Sequence, residues 1–153
     1  MTEARGRGRR IANEPIGFAI VGAGLVGRVH ATALSRIPDV EVVAVVGRGE
    51  ERARALASTV RARVDRDLET LFDRGGVDVV VICTPHPLHA QQAIAAAEAG
   101  LHVVVEKPMA LEPGECDAMI AAAEAAGTVL SVISQRRWYA PVRRVKDAID
   151  GGR

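Results

Sequence analysis

The sequence predicts an α/β fold: a doubly wound parallel sheet of six strands with flanking helices. Three observations predict it. Short runs rich in valine and isoleucine alternate with longer, alanine-rich amphipathic stretches from residue 16 to residue 150. The runs are mostly continuously apolar, which suits strands buried on both faces. The first run passes straight into a glycine-rich turn that opens a helical stretch. Alternation of this kind implies parallel strands joined by crossover helices on both faces of the sheet.

Each element has its own signal. Strands are expected at residues 16–21, 40–46, 62–64, 77–83, 102–105 and 129–134. The first helix is expected at 25–36, ending before Pro38, with shorter helices at 50–58 and 68–74. A helix over 88–99 stops at Gly100, and one over 113–126 stops at Gly127, both plausible C-terminal caps. A last helix over 140–150 precedes Gly151 and Gly152.

A chain of 153 residues is one domain's worth and can bury a real core. Apolar residues make up 48% and aromatics only 3%, so that core must be aliphatic. The net charge of +1 points neither to nucleic acid nor to an acidic partner. Cys83 and Cys116 have no metal-ligand or CxxC spacing and fit reduced thiols in a cytoplasmic protein. No uncharged apolar run reaches the ~18 residues of a membrane span. The basic stretch Arg5 to Arg10 loosely imitates a twin-arginine export signal. The apolar run behind it is better explained as a strand and turn. Residues 1–14 are therefore expected to be a disordered basic leader, without aromatics for stacking on nucleic acid.

The turn is Gly22-Ala23-Gly24-Leu25-Val26-Gly27. GxGxxG alone is a weak signal; between a strand and a helix it is a dinucleotide fingerprint. Gly22 takes the tight turn, Gly24 leaves room for a diphosphate, and Gly27 lets the helix approach the sheet. The backbone at Leu25 and Val26 then offers helix-start N–H groups to an anion. An NAD site usually has an acid at the tip of the second strand, for the ribose 2′-hydroxyl. Here the strand ends Val46-Gly47-Arg48-Gly49, and Glu50 and Glu51 come too late. Arg48 is suited to a 2′-phosphate, a charge-assisted contact worth on the order of 1.5–3 kcal/mol. NADP is expected in preference to NAD; the alternative is an exposed surface arginine.

The fourth strand ends Cys83-Thr84-Pro85-His86-Pro87, a loop at the sheet edge where ligands lie. Thr84, Pro85 and His86 are expected near the cofactor ribose. His86 and His89 have HxxH spacing without a third ligand nearby, so no metal is expected. His89 is expected to pack or cap at its helix start, and His30 to be packed or partly exposed. The fifth strand delivers Glu106-Lys107-Pro108 to the same edge. Only two of the 20 basic residues are lysines, Lys107 and Lys146. Lysine can give up a proton when partly buried, and arginine cannot. Glu106 could orient it or bind ribose. The alternative is a solvated Glu-Lys pair at a strand end.

With these residues in view, the chain resembles the N-terminal half of the Gfo/Idh/MocA oxidoreductases, the glucose-fructose oxidoreductase and inositol dehydrogenase-like enzymes. The matching stretches are FAIVGAGLVGRVHATAL, VVVICTPHPLHAQQAIAAAEAGLHVVVEKPMAL and ISQRRWYAPVRRVKDAI. The resemblance implies a Rossmann domain that binds NAD or NADP and an activity that moves hydride to or from a sugar, cyclitol or related polyol. It implies that Lys107 lies near nicotinamide and substrate and assists proton transfer. It implies that Gln135 and Arg136 lie near the cofactor, and that Arg137, Trp138 and Tyr139 line the substrate entry; the alternative is a helix-start cluster packing on a partner domain.

Members of the family are about twice this length or more. Their second, α/β domain supplies most of the substrate pocket, commonly with an aspartate and a histidine, and mediates oligomer contacts. The domain expectation is therefore a leader at 1–14, a Rossmann domain at 15–137, and a helix over 138–153 leading toward an absent substrate domain. The resemblance implies cofactor binding with little turnover alone, and a homo-oligomer or a C-terminal-domain partner. A non-catalytic dinucleotide-binding module, such as a redox sensor or partner subunit, shares the same glycines and remains the alternative.

Overall fold

The computed structural model describes residues 14–152, so all of the expected leader but Glu14 lies outside the described residues. The strands are β1 (Ile16–Val21), β2 (Val40–Val46), β3 (Arg63–Asp65), β4 (Val79–Ile82), β5 (His102–Val105) and β6 (Leu130–Val132). The helices are α1 (Leu25–Leu34), α2 (Glu50–Val60), α3 (Leu68–Arg74), α4 (His89–Glu98), α5 (Pro113–Ala126) and α6 (Ala140–Asp150). Short 3-10 turns sit at His86–Leu88 and Gln135–Trp138.

The strands form one parallel sheet in the order β3-β2-β1-β4-β5-β6. The chain winds outward from β1 to one edge, then returns to β4 and winds to the other. The order reverses between β1 and β4, and ligands bind at such a switch point in open α/β sheets. One face carries Ile20, Val42, Val45 and Val81 and packs on Ala31 of α1 and Ala53, Leu56 and Ala57 of α2. The other carries Val21, Val46, Val80, Ile82, Val103 and Val105 and packs on Leu71 of α3, the alanines of α4 and Met119 of α5. Small side chains at Ala90, Ala93 and Ala96 let α4 lie close to strands built of branched residues. The core is aliphatic, as the composition requires.

The element boundaries differ from the sequence expectation for local reasons. β4 was expected over 77–83 but pairs over Val79–Ile82. Asp78 is spent on Gly17, donating its backbone N–H to the Gly17 carbonyl and accepting the Gly17 amide on its carboxylate, each at 2.8 Å. β6 pairs on one side only and shortens from 129–134 to Leu130–Val132. β3 starts one residue later than expected and ends on Asp65, whose buried carboxylate receives Arg63 at 2.9 Å and Arg74 at 2.6 Å. Pro85 and Pro87 give the chain a 3-10 turn before α4, which begins at His89 in place of residue 88. α2 runs two residues beyond the expected 58, to Val60, and stops where Arg61 turns left-handed at φ 57°. α1 stops at Leu34, two residues short of the expected 36. β2 carries a bulge, since Phe18 faces Val42 while Ala19 faces Ala44.

A candidate dinucleotide-binding cleft

Four backbone bonds align the strand ends into one edge. Gly22 donates to the Val46 carbonyl, Cys83 to Val21, Glu106 to Ile82 and Ile133 to Val105. The glycine turn, the Thr84 loop, the Glu106-Lys107-Pro108 turn and the Gln135 turn therefore follow one another along the carboxyl side of the sheet.

Each glycine has a distinct geometry. Gly22 has φ +109°, and a Cβ there would lie 2.7 Å from the Cys83 carbonyl oxygen. A Cβ on Gly27 would lie 2.0 Å from the Gly22 carbonyl oxygen, so α1 closes directly onto its own turn. Gly24 is different: its backbone is extended at φ −82°, and a Cβ would meet nothing within 4 Å. No side chain caps the first turn of α1. Open space at Gly24 beside an uncapped helix start is the shape a diphosphate needs.

A cleft of about 900 Å³ opens from this turn. Gly22 and Gly24 form one wall, Thr84, Pro85 and Gln92 another, and Arg48, Arg52 and Arg66 stand at the far end. That volume lies within the usual range of about 300–1,000 Å³ for small-molecule sites. Arg48 is exposed at the tip of β2, where the sequence puts it. Leu25 and Val26 have exposed side chains outside the cleft wall and could serve a ligand only through their backbone.

Sequence reasoning missed Arg52, Arg66 and Gln92. They reach the cleft from α2, from the β3–α3 connection and from the second turn of α4. Asp67 also lines it, but its carboxylate is engaged by the Thr70 amide and hydroxyl and by Arg66. Those bonds, led by the Thr70 hydroxyl, hold its carboxyl down to about 2. Gln92 accepts the Thr84 hydroxyl at 2.5 Å and fixes that side chain beside the cleft. Cys83 lies on the wall; burial, then the charge of Glu106, pushes its thiol up to about 12, which makes it unreactive.

Lys107 and Glu106 follow at the end of β5. The Lys107–Pro108 bond is cis, and Lys107 is exposed, not partly buried as the proton-transfer expectation assumed. Glu106 has partners other than the lysine ammonium for both carboxylate oxygens. Its Oε1 pairs with His30 Nε2 on α1 at 2.8 Å, and its Oε2 accepts the Lys107 backbone N–H at 3.1 Å. His30, expected to be packed or partly exposed, is partly exposed and ties α1 to the lysine turn. Gln135, Arg136 and Trp138 lie on the exposed turn after β6, outside the cleft wall; His86 after β4 and Glu106 and Lys107 after β5 are outside it too. The structure gathers Gly22, Gly24, Arg48, Thr84 and Pro85 around one cavity, keeps Gly27 buried under the turn, and strings the remaining predicted residues along the same edge.

His89 is buried, with both ring nitrogens engaged, and its ring stands edge-on to His86 at 5.5 Å. Among the described residues no group of three or more His, Cys, Asp or Glu side chains could hold a metal ion. Among them, too, no helix is long and apolar enough to cross a membrane.

Strand order, glycine turn and cleft together define a dinucleotide-binding α/β domain. Comparison with known proteins gives the family. Residues 16–134 match the GFO_IDH_MocA oxidoreductase family with its NAD-binding Rossmann fold, and the chain belongs to that family. It is 35% identical over 136 residues to a 4-carboxy-2-hydroxymuconate-6-semialdehyde dehydrogenase of Sphingobium sp., covering 88% of this chain and 43% of that one. It is 33% identical to inositol 2-dehydrogenase 3 of Saccharopolyspora erythraea, covering 87% of this chain and 40% of that one. Among solved structures it superposes on the WlbA dehydrogenase from Bordetella pertussis, in complex with NADH and UDP-GlcNAcA. That superposition has a TM-score of 0.89 at 35% identity and covers 94% of this chain and 42% of WlbA. The chain thus spans about two fifths of the length of these relatives, the part that carries the NAD-binding fold.

Proposed function

We propose that this chain binds a nicotinamide dinucleotide as the coenzyme half of an oxidoreductase acting on a sugar, cyclitol or related polyol. The observation that carries this is the open space at Gly24, beside the uncapped start of α1 and continuous with an arginine-lined cleft. The diphosphate would be held by backbone N–H groups of the turn, with Gly22 and Gly27 keeping that backbone in place. Arg48, with Arg52 and Arg66 also lining the cleft, favours NADP over NAD, because a 2′-phosphate adds charge that a guanidinium group can meet. Thr84, Pro85 and His86 would hold the ribose on the nicotinamide side, and Gln135 and Arg136 would extend that contact.

When bound, the nicotinamide supplies the hydride donor or acceptor. Lys107 holds or moves a proton at Nζ, taking it from the substrate hydroxyl in the oxidative direction and returning it in the other. Glu106 holds the Lys107 backbone through its amide, and His30 holds Glu106. Trp138 supplies an apolar face toward the substrate. A sugar-like substrate agrees with the inositol dehydrogenase and the nucleotide-sugar complex among the relatives. Two free thiols fit a reducing cytoplasm. The remainder of the substrate pocket would come from a second domain or a further subunit.

Calorimetric titration with NADPH and NADH tests this. NADPH should bind at least about tenfold more tightly, and Arg48→Ala should remove that preference by weakening NADPH alone. Tighter NADH binding would reverse the coenzyme assignment, and binding of neither would sink the reading.

A further inference from the structure

His89 is fully buried at the start of α4. Its Nδ1 lies 2.9 Å from the carbonyl oxygen of Pro108, and its Nε2 lies 2.9 Å from the carbonyl oxygen of Thr84. A carbonyl oxygen only accepts hydrogen bonds. A neutral imidazole has one N–H donor and one bare nitrogen. With a single ring proton, one of the two contacts would set lone pair against lone pair at 2.9 Å, where water cannot intervene. Only the doubly protonated ring donates to both oxygens.

We infer that His89 carries both ring protons and, as an imidazolium, clamps the Thr84 loop at the end of β4 to the Lys107–Pro108 turn at the end of β5, acting as a positioning residue for Lys107. The protonation state stands on the geometry alone; the consequence for Lys107 rests on the function proposed above. Other bonds brace the same two walls. Gln92, one turn further along α4, accepts the Thr84 hydroxyl at 2.5 Å. Glu106 accepts the Lys107 amide at 3.1 Å. The Thr84 loop is thereby held from α4 at its side chain and its carbonyl, and the lysine turn on both sides of the Lys107–Pro108 bond.

The charge has opponents and supporters. A cation at a helix start is opposed by the helix dipole. Two carbonyl dipoles face the ring directly and must outweigh the cost of burying its charge. Titratable groups on the elements around the ring are Cys83 on the β4 side, Glu106 and Lys107 after β5, and His86 edge-on at 5.5 Å. From α5 come Cys116, half-buried against the same core, and Glu115, engaged by the backbone of its own capping box.

Isotope labelling of the histidine ring nitrogens in the full chain, read by proton–nitrogen correlation spectra at about pH 7, reports the ring state directly. His89 should show two protonated nitrogens with slowly exchanging N–H signals. A single-proton pattern, in either tautomer, would overturn the assignment. As the pH is raised until the His89 pattern changes, the amide signals of Thr84 and Lys107 should shift with the same midpoint. In His89→Gln that shared step should vanish, because a glutamine amide can donate to one carbonyl while its own oxygen faces the other. Thr84 and Lys107 signals that stay fixed through the wild-type transition would overturn the positioning role. Should the glutamine variant fail to fold, the wild-type spectra decide by themselves. A ring that keeps both protons until the chain unfolds supports the clamp. None of these readings needs a bound dinucleotide, so failure of coenzyme binding would count against the proposed function and leave the His89 result intact.

Discussion

Three glycines within six residues do different things. Gly27 has backbone where a side chain would go, since its Cβ would lie 2.0 Å from the Gly22 carbonyl oxygen. Gly24 has only open space and a backbone that any residue adopts. A pair of alanine variants should therefore separate folding from binding. Gly27→Ala should lose cooperative thermal unfolding. Gly24→Ala should melt as the parent does yet bind dinucleotide about tenfold or more weakly, since its methyl occupies the diphosphate approach. Equal damage to stability in both variants, measured by circular dichroism, would show that Gly24 serves the fold. The close approach of Gly27 to Gly22 was legible in the sequence, because the two lie five residues apart; the Cys83 carbonyl that crowds Gly22 was not. Nor were the roles of His30 and His89. His30 meets Glu106 and His89 meets Pro108, partners that lie 76 and 19 residues away and come close only once the sheet is formed.

At the scale of the element, the strand runs marked themselves by continuous branched residues, and their ends were set by bonds that no local pattern announces. Asp78 leaves β4 to serve Gly17, and the bulge at Val43 is invisible in a run of valines. The short helix α3 shows how far such bonds matter. Asp67 caps it by accepting the Thr70 amide at 2.8 Å, and the Thr70 hydroxyl is chief among the bonds that hold its carboxyl down to about 2. A depressed carboxyl contributes stability above its unfolded range, and that contribution is lost as the pH falls through the folded value. Acid melting of the parent should therefore include a loss between about pH 4 and pH 2 that Asp67→Asn lacks, because the variant has already given up the charged cap. Identical acid profiles for the two would contradict the assigned cap. Arg66 and Arg52 belong to this scale too, since Arg66 follows the last residue of β3 and Arg52 sits in the first turn of α2.

On the scale of the whole molecule, the alternation of runs and helices was enough to predict the parallel sheet, and the reversal between β1 and β4 puts the glycine turn, the Thr84 loop and the lysine turn side by side. The substrate side was legible only as a resemblance, because α6 and the turn before it are almost wholly exposed and pack on little. Val142, Val145 and Ile149 make one apolar stripe on α6, and Trp138 stands 76% exposed beside its start. Apolar surface of that kind favours self-association. Sedimentation velocity should show association that grows with concentration and that Val145→Lys reduces. A sharp monomer boundary at high concentration would contradict this.

The central claim is that the dinucleotide lies along the carboxyl edge of this sheet, from Arg48 across Gly24 to Lys107. Amide chemical-shift mapping of the full chain on addition of NADPH tests it residue by residue. Saturable shifts are expected at Gly22 to Gly27, at Arg48, at Thr84 and at Glu106 and Lys107, with β3 and the far ends of the strands unmoved. Shifts confined to another surface, or none at saturating NADPH, would contradict it.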